Sequence, residues 1–177
     1  MTQMCPEYFR KLTRLLLSDI DLIYGNQSDG TINVLFFNLP EESEFLDIYI
    51  VLKKRVEKFF SNHGSYYESL IDRVLLTEFN VKSQFYNGVN GILQSFNNSI
   101  TPLATVALFS FFLLMVKTCH TRDLGEFTES LVQWNCSIFE GSSEGWDNLS
   151  SWALTIKSRE QRIGRIEHKI RCRQTSI

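Results

Sequence analysis

Three histidines, four cysteines and one run of acids are the side chains in this 177-residue chain whose types could carry chemistry. His63, His120 and His168 stand far apart, and the chain has no His-Glu-x-x-His, no Gly-x-Ser-x-Gly turn and no phosphate-cradling glycine loop. Glu41, Glu42 and Glu44 are the neighbouring carboxylates that general acid–base catalysis would need, yet acids at a helix start ordinarily complement the helix dipole. Cys5, Cys119, Cys136 and Cys172 are widely spaced, with no Cys-x-x-Cys and no adjacent His, so they read as free thiols rather than a zinc site or a redox pair. An enzyme is not expected, and no cofactor or metal is called for.

The elements that must hold these residues read as helices. A hydrophobic content of 44% with fourteen Phe excludes a disordered chain, and the length fits one domain, with a core over about 6–153 and a basic C-terminal helix or tail over about 155–177. Thr101-Pro-Leu-Ala-Thr-Val-Ala-Leu-Phe-Ser-Phe-Phe-Leu-Leu-Met-Val116 is apolar on every side. It has an N-cap Thr and a first-turn Pro, Lys117 at its end, and a length short of the roughly 18 to 20 residues of a membrane span, so it predicts a buried central helix over 103–116. Around it, helical periodicity predicts amphipathic helices over 6–24, 41–62, 65–76, 81–96, 124–139, 144–153 and 155–171. His63-Gly64 marks a break, and 28–40 reads as a loop. Gly88 and Gly91 weaken their helix but permit close approach by a neighbour. No Asp or Glu lies between Phe79 and Arg122, which fits a two-helix core.

Charge is uneven despite a total of −2: 19–47 holds seven acids and no base, whereas 157–173 holds seven bases against Glu160 and Glu167. The basic end has no nucleic-acid signature; it reads as a solvated helix end, with anionic lipid as the other reading. No signal-peptide pattern opens the chain, so the sequons at Asn26, Asn97, Asn135 and Asn148 read as chance matches in a cytoplasmic protein.

An apolar helix wrapped by six or seven amphipathic ones, followed by Gly145-Trp146-Asp147, resembles the Bcl-2 family of apoptosis regulators, above all its divergent virus-encoded members. The resemblance covers about 6–152. The family's second homology region, Gly-Gly-Trp-Asp, is largely kept in Glu144-Gly145-Trp146-Asp147-Asn148-Leu149. Thr105 to Phe111 matches the family's central helix. Leu52-Lys53-Lys54-Arg55-Val56-Glu57 stands at the Leu-x-x-x-Gly-Asp helix, with Phe59 at the following aromatic. The resemblance implies an all-α, Bcl-2-like helical bundle whose groove captures the amphipathic death-motif helices of pro-apoptotic family proteins. Carried over by position, Phe59, Tyr67, Leu70, Val89, Ile92, Val106 and Phe111 line that groove.

The departures bear on function. Thr101-Pro102-Leu103-Ala104 stands where the family has Asn-Trp-Gly-Arg, and no Arg lies between Phe79 and Val116. A hydrogen bond to a charged group is worth about 1.5 to 3 kcal/mol, so losing the Arg–Asp pair weakens a typical ligand roughly ten- to a hundredfold. Tyr66 replaces a small residue and crowds the groove, and Val56 replaces the small Gly of a killer helix. The chain shows no C-terminal anchor, so membrane contact would be peripheral, at mitochondrial or other intracellular membranes. The expectation is an anti-apoptotic protein with a narrow ligand range. Its alternatives are a Bcl-2-fold interaction protein with a closed or self-associating groove, as in a homodimer, and a pore-forming, pro-death member.

Overall fold

Side chains at helical spacing organise the chain around one apolar axis. The computed structural model describes residues 5–19, 43–140 and 143–175, and among these the protein is all-α. Its helices are α1 (Cys5–Ser18), α2 (Ser43–Asp72), α3 (Val81–Ser95), α4 (Pro102–Thr121), a 3-10 turn (Gly125–Phe127), α5 (Thr128–Ile138) and α6 (Ser143–Gln174). The expected segments 20–24 and 28–40, and the Asn26 sequon, lie outside the described residues.

α4 is the axis and touches every other helix. Thr101 caps it, its hydroxyl accepting from the Ala104 amide at 3.1 Å, and Pro102 occupies the first position, where no N–H is needed. Its buried hydroxyls are satisfied inside the helix, Ser110 and Thr118 donating to the carbonyls four residues back at 2.7 and 2.8 Å. The helix runs five residues past Val116, so Lys117 lies within it and pairs with Glu68 of α2 at 3.2 Å. At 20 residues α4 is long and apolar enough to cross a membrane; what marks it as core is burial, 72% of its apolar window being enclosed by the other helices.

Two expected breaks are absent. α2 continues through His63 and Gly64, where the Phe59 ring meets His63 at 5.4 Å and Tyr67 at 5.3 Å, both tilted, on either side of the glycine. A helix-ending glycine works by adopting positive φ, and Gly64 does not. The roughly 1 kcal/mol that a helical Gly costs is offset by the packing its continuation gains. α2 instead ends at Asp72, short of Leu76. Likewise α6 does not divide at 153–155: nothing between Trp152 and Ile156 breaks a helix, and buried Ile156 continues the face begun by Leu149 and Ala153.

The remaining contacts tie the shell to the axis. Phe9, Leu12 and Leu16 bury one face of α1, and Phe45, Ile48, Leu52 and Val56 bury one face of α2. Helical spacing over 124–139 predicts Phe127, Leu131, Trp134 and Ile138 inward; Leu131 is buried, but the inward face of α5 continues through Val132, Asn135 and Cys136, and Phe127, Trp134 and Ile138 are only half-buried. Asn135 is fully buried and donates to Thr13 at 3.2 Å, so this sequon is closed to a glycan. Asn97 and Asn98 turn the chain between α3 and α4 at φ of 55° and 56°, a region Asn tolerates.

Candidate functional site

Over one face of α4, the last turns of α2 and the length of α3 leave an apolar cleft of about 370 Å³. Tyr66, Tyr67, Leu70, Ile71 and Val74 form one wall. Gln84, Gly88, Gly91, Ile92 and Ser95, spaced along one stripe of α3, form the other, and Phe111 and Met115 the floor. No lining residue is charged at neutral pH. Leu75 and Phe79, in the connection beside this wall, are 80% and 90% exposed.

Gly88 shapes the floor. A Cβ there would stand 2.1 Å from the Phe111 Cζ, so only glycine lets the Phe111 ring lie under α3, stacked on Phe85 at 5.8 Å. At Gly91 nothing lies within 4 Å, so the close approach expected of both glycines occurs at one.

Of the expected groove residues, Tyr67, Leu70, Ile92 and Phe111 line the cleft. Phe59 lines a smaller hollow that shares Tyr67, Ile92 and Phe111 with it. Val89 and Val106 do not belong: they are 3% and 7% exposed and pack in the core, because the cleft follows the α3 stripe through Gly88 and Ile92. Ile71, Val74 and Met115 went unassigned. Ile71 and Val74 share the inward face that periodicity gives to Tyr67 and Leu70 over 65–76; the positions carried over from the family passed over them, and Val74 lies just past the end of α2.

Gly145, Trp146 and Asp147 form the first turn of α6 and line neither hollow. Trp146 stacks on Tyr8 at 5.1 Å and on Phe45 at 6.1 Å and meets the edge of Phe9 at 5.1 Å, clamping α1, α2 and α6 together. Asp147 is exposed and complements the α6 N-terminus. Leu52 and Val56 face the core, so this side of α2 is not offered to a partner.

One base at the cleft's edge, Arg122, is already engaged, whereas Arg73, between the lining residues Ile71 and Val74, is exposed. Arg122 donates to the carbonyls of Val74 at 2.6 Å and Ile71 at 3.3 Å and pairs with Asp72 at 3.3 Å, satisfying the end of α2. Lys82 lies over the Trp134 ring at 5.8 Å.

The histidines occupy three separate helices. His120 meets the Thr128 hydroxyl at 3.1 Å, and His168 the Cys172 thiol at 3.6 Å. Among the described residues no group of His, Cys, Asp or Glu is placed to hold a metal ion. Glu44 accepts a hydrogen bond from Ser150, linking α2 to α6; Glu41 and Glu42 lie outside the described residues.

Cys119, Cys136 and Cys172 are free thiols. Burial pushes Cys119 up to about 11, against the opposing pull of Arg122, and burial likewise raises Cys136, offset in part by its hydrogen bond to Thr13. Since the thiolate is the nucleophile, iodoacetamide at mildly alkaline pH is expected to alkylate exposed Cys172 on the native protein at least about a hundredfold faster than Cys119 or Cys136. Peptide mass analysis reads this directly; native labelling of Cys119 at the rate of Cys172 would contradict its burial.

No protein-family model matches the chain, and no curated protein matches it.

Proposed function

We propose that this chain is a non-enzymatic, anti-apoptotic Bcl-2-like protein that captures the amphipathic death-motif helix of a pro-apoptotic partner in the cleft between α2 and α3. The observation that carries this reading is the cleft itself: an uncharged apolar trough over the central helix, with exposed Leu75 and Phe79 in the connection beside it. An amphipathic helix presents apolar anchors at i, i+3, i+4 and i+7, and such a trough gives them a place to bury. The all-α bundle and its near-fully apolar axis support the family reading.

The same site argues for a narrow ligand range. A ligand Asp meets no charged lining residue, and Arg122 is held by the end of α2. Affinity then rests on apolar anchors and shape rather than on an ion pair. Titrating a panel of pro-apoptotic helix peptides against the protein by fluorescence anisotropy is expected to find a small subset that binds at micromolar concentration or tighter. In those peptides, replacing the motif Asp by Ala should weaken binding less than about threefold, since no charge-assisted bond is lost. If every peptide fails at micromolar concentration, helix capture is wrong.

A further inference from the structure

α6 projects well beyond the bundle. Ile156 is its last buried residue, Lys157 holds both Asp47 oxygens at 2.9 Å, and every residue from 158 to 175 is exposed. At 1.5 Å per residue the projecting helix is about 25 Å long. It carries Ile163, Ile166 and Ile170, which are 56%, 58% and 51% exposed. With 3.6 residues per turn these three form one stripe, set roughly a quarter turn from the line of Leu149, Ala153 and Ile156 that faces the bundle. The bundle therefore does not cover the stripe, and a surface lying alongside the bundle can reach it.

The charges on this helix select the kind of surface. Arg159 and Arg173 lie along the two ends of the stripe, Arg162 and Lys169 border one side of it, and Glu160 and Glu167 border the other. Glu160 is drawn towards Lys54 of α2 at 3.9 Å. Residues 158–175 carry six bases and two acids, a net +4, while the chain as a whole is −2, leaving −6 on the rest. Among the described residues none of the six bases forms an ion pair.

We propose that the projecting part of α6 is a membrane-surface helix that binds anionic phospholipid, its isoleucines entering the acyl boundary while Arg159, Arg162, Lys169 and Arg173 pair with headgroup phosphates. A second copy of the helix fits less well. Seam to seam, a parallel pair sets Arg159 against Arg159 and Arg173 against Arg173, and an antiparallel pair sets Arg159 against Arg173. Three apolar layers between them fall short of the three to four heptads a coiled coil needs. Nucleic acid would leave the isoleucine stripe without an apolar surface to meet. The inference is independent of the cleft, which α2, α3 and α4 form alone.

Co-sedimentation of the full chain with phosphatidylcholine vesicles, with and without phosphatidylserine, tests it. The expected result is at least about tenfold stronger partitioning onto the anionic vesicles, falling as salt is raised. Ile166→Asp, and separately the pair Arg162→Gln with Lys169→Gln, should each cut partitioning about tenfold or more while leaving the thermal unfolding of the bundle unchanged by circular dichroism. Equal binding to both vesicle types, or binding indifferent to these substitutions, would overturn the proposal. So would vesicles left unbound while Ile166→Asp dissolves a dimer in analytical ultracentrifugation, which would make the stripe a protein seam.

Discussion

Phe139→Ala is expected to lower the stability of the fold by about 3 to 5 kcal/mol, at the top of the range for truncating one buried side chain. The Phe139 ring lies between two others, stacked on Phe9 at 4.4 Å and on Phe109 at 5.3 Å, so one side chain joins α1 and α4 at the end of α5. All three rings are buried, leaving no solvent route by which the hole could fill cheaply. Aromatic pairing adds about 0.5 to 1.5 kcal/mol beyond area, and each neighbour would lose it. A domain of this size has only about 5 to 15 kcal/mol in total, so the variant should unfold at markedly lower urea. An unfolding free energy within about 0.5 kcal/mol of the parent would mean that the triple stack is not the joint between these helices.

How far the sequence foretold the fold depended on whether a local signal or a tertiary contact decided each feature. The central helix was legible because Thr101 and Pro102 form a sound start and no charge interrupts the run that follows; its end was missed because Lys117, which looks like a terminal cation, is claimed by Glu68 from another helix. The break at His63-Gly64 was wrongly expected for a related reason. Glycine permits a stop without requiring one, and the ring series Phe59, His63, Tyr67 favours continuation. Half-buried positions were hardest. Val89 and Val106 share spacing and hydrophobicity with true cleft residues, and periodicity cannot tell a residue that faces the core from one turned slightly towards an opening. Gly88 carried a usable signal, since a helical glycine beside aromatic residues implies a close ring, but which ring was a matter of packing.

That distinction between core and cleft sets the second large effect. Ile92→Glu should abolish capture of any helix peptide the parent binds, raising Kd by a hundredfold or more, an effect of about 2.7 kcal/mol or greater. Ile92 is shared by the cleft and the adjoining hollow, so an anchor entering either would have to bury a carboxylate with no cation among the lining residues to pair with it. Because Ile92 is only half-buried, its carboxylate can turn to water in the free protein, and folding should be largely preserved. Leu70→Glu, on the opposite wall and more exposed still, provides an independent test with less burden on the fold. Val106→Arg would be a poor choice, since a guanidinium forced among core side chains would unfold the bundle and abolish binding for an unrelated reason. The reading requires that both cleft substitutions eliminate binding at an unchanged melting temperature. Intact affinity in either variant would move the ligand off the α2–α3 cleft, because a carboxylate left unpaired under a bound apolar anchor cannot be neutral to binding.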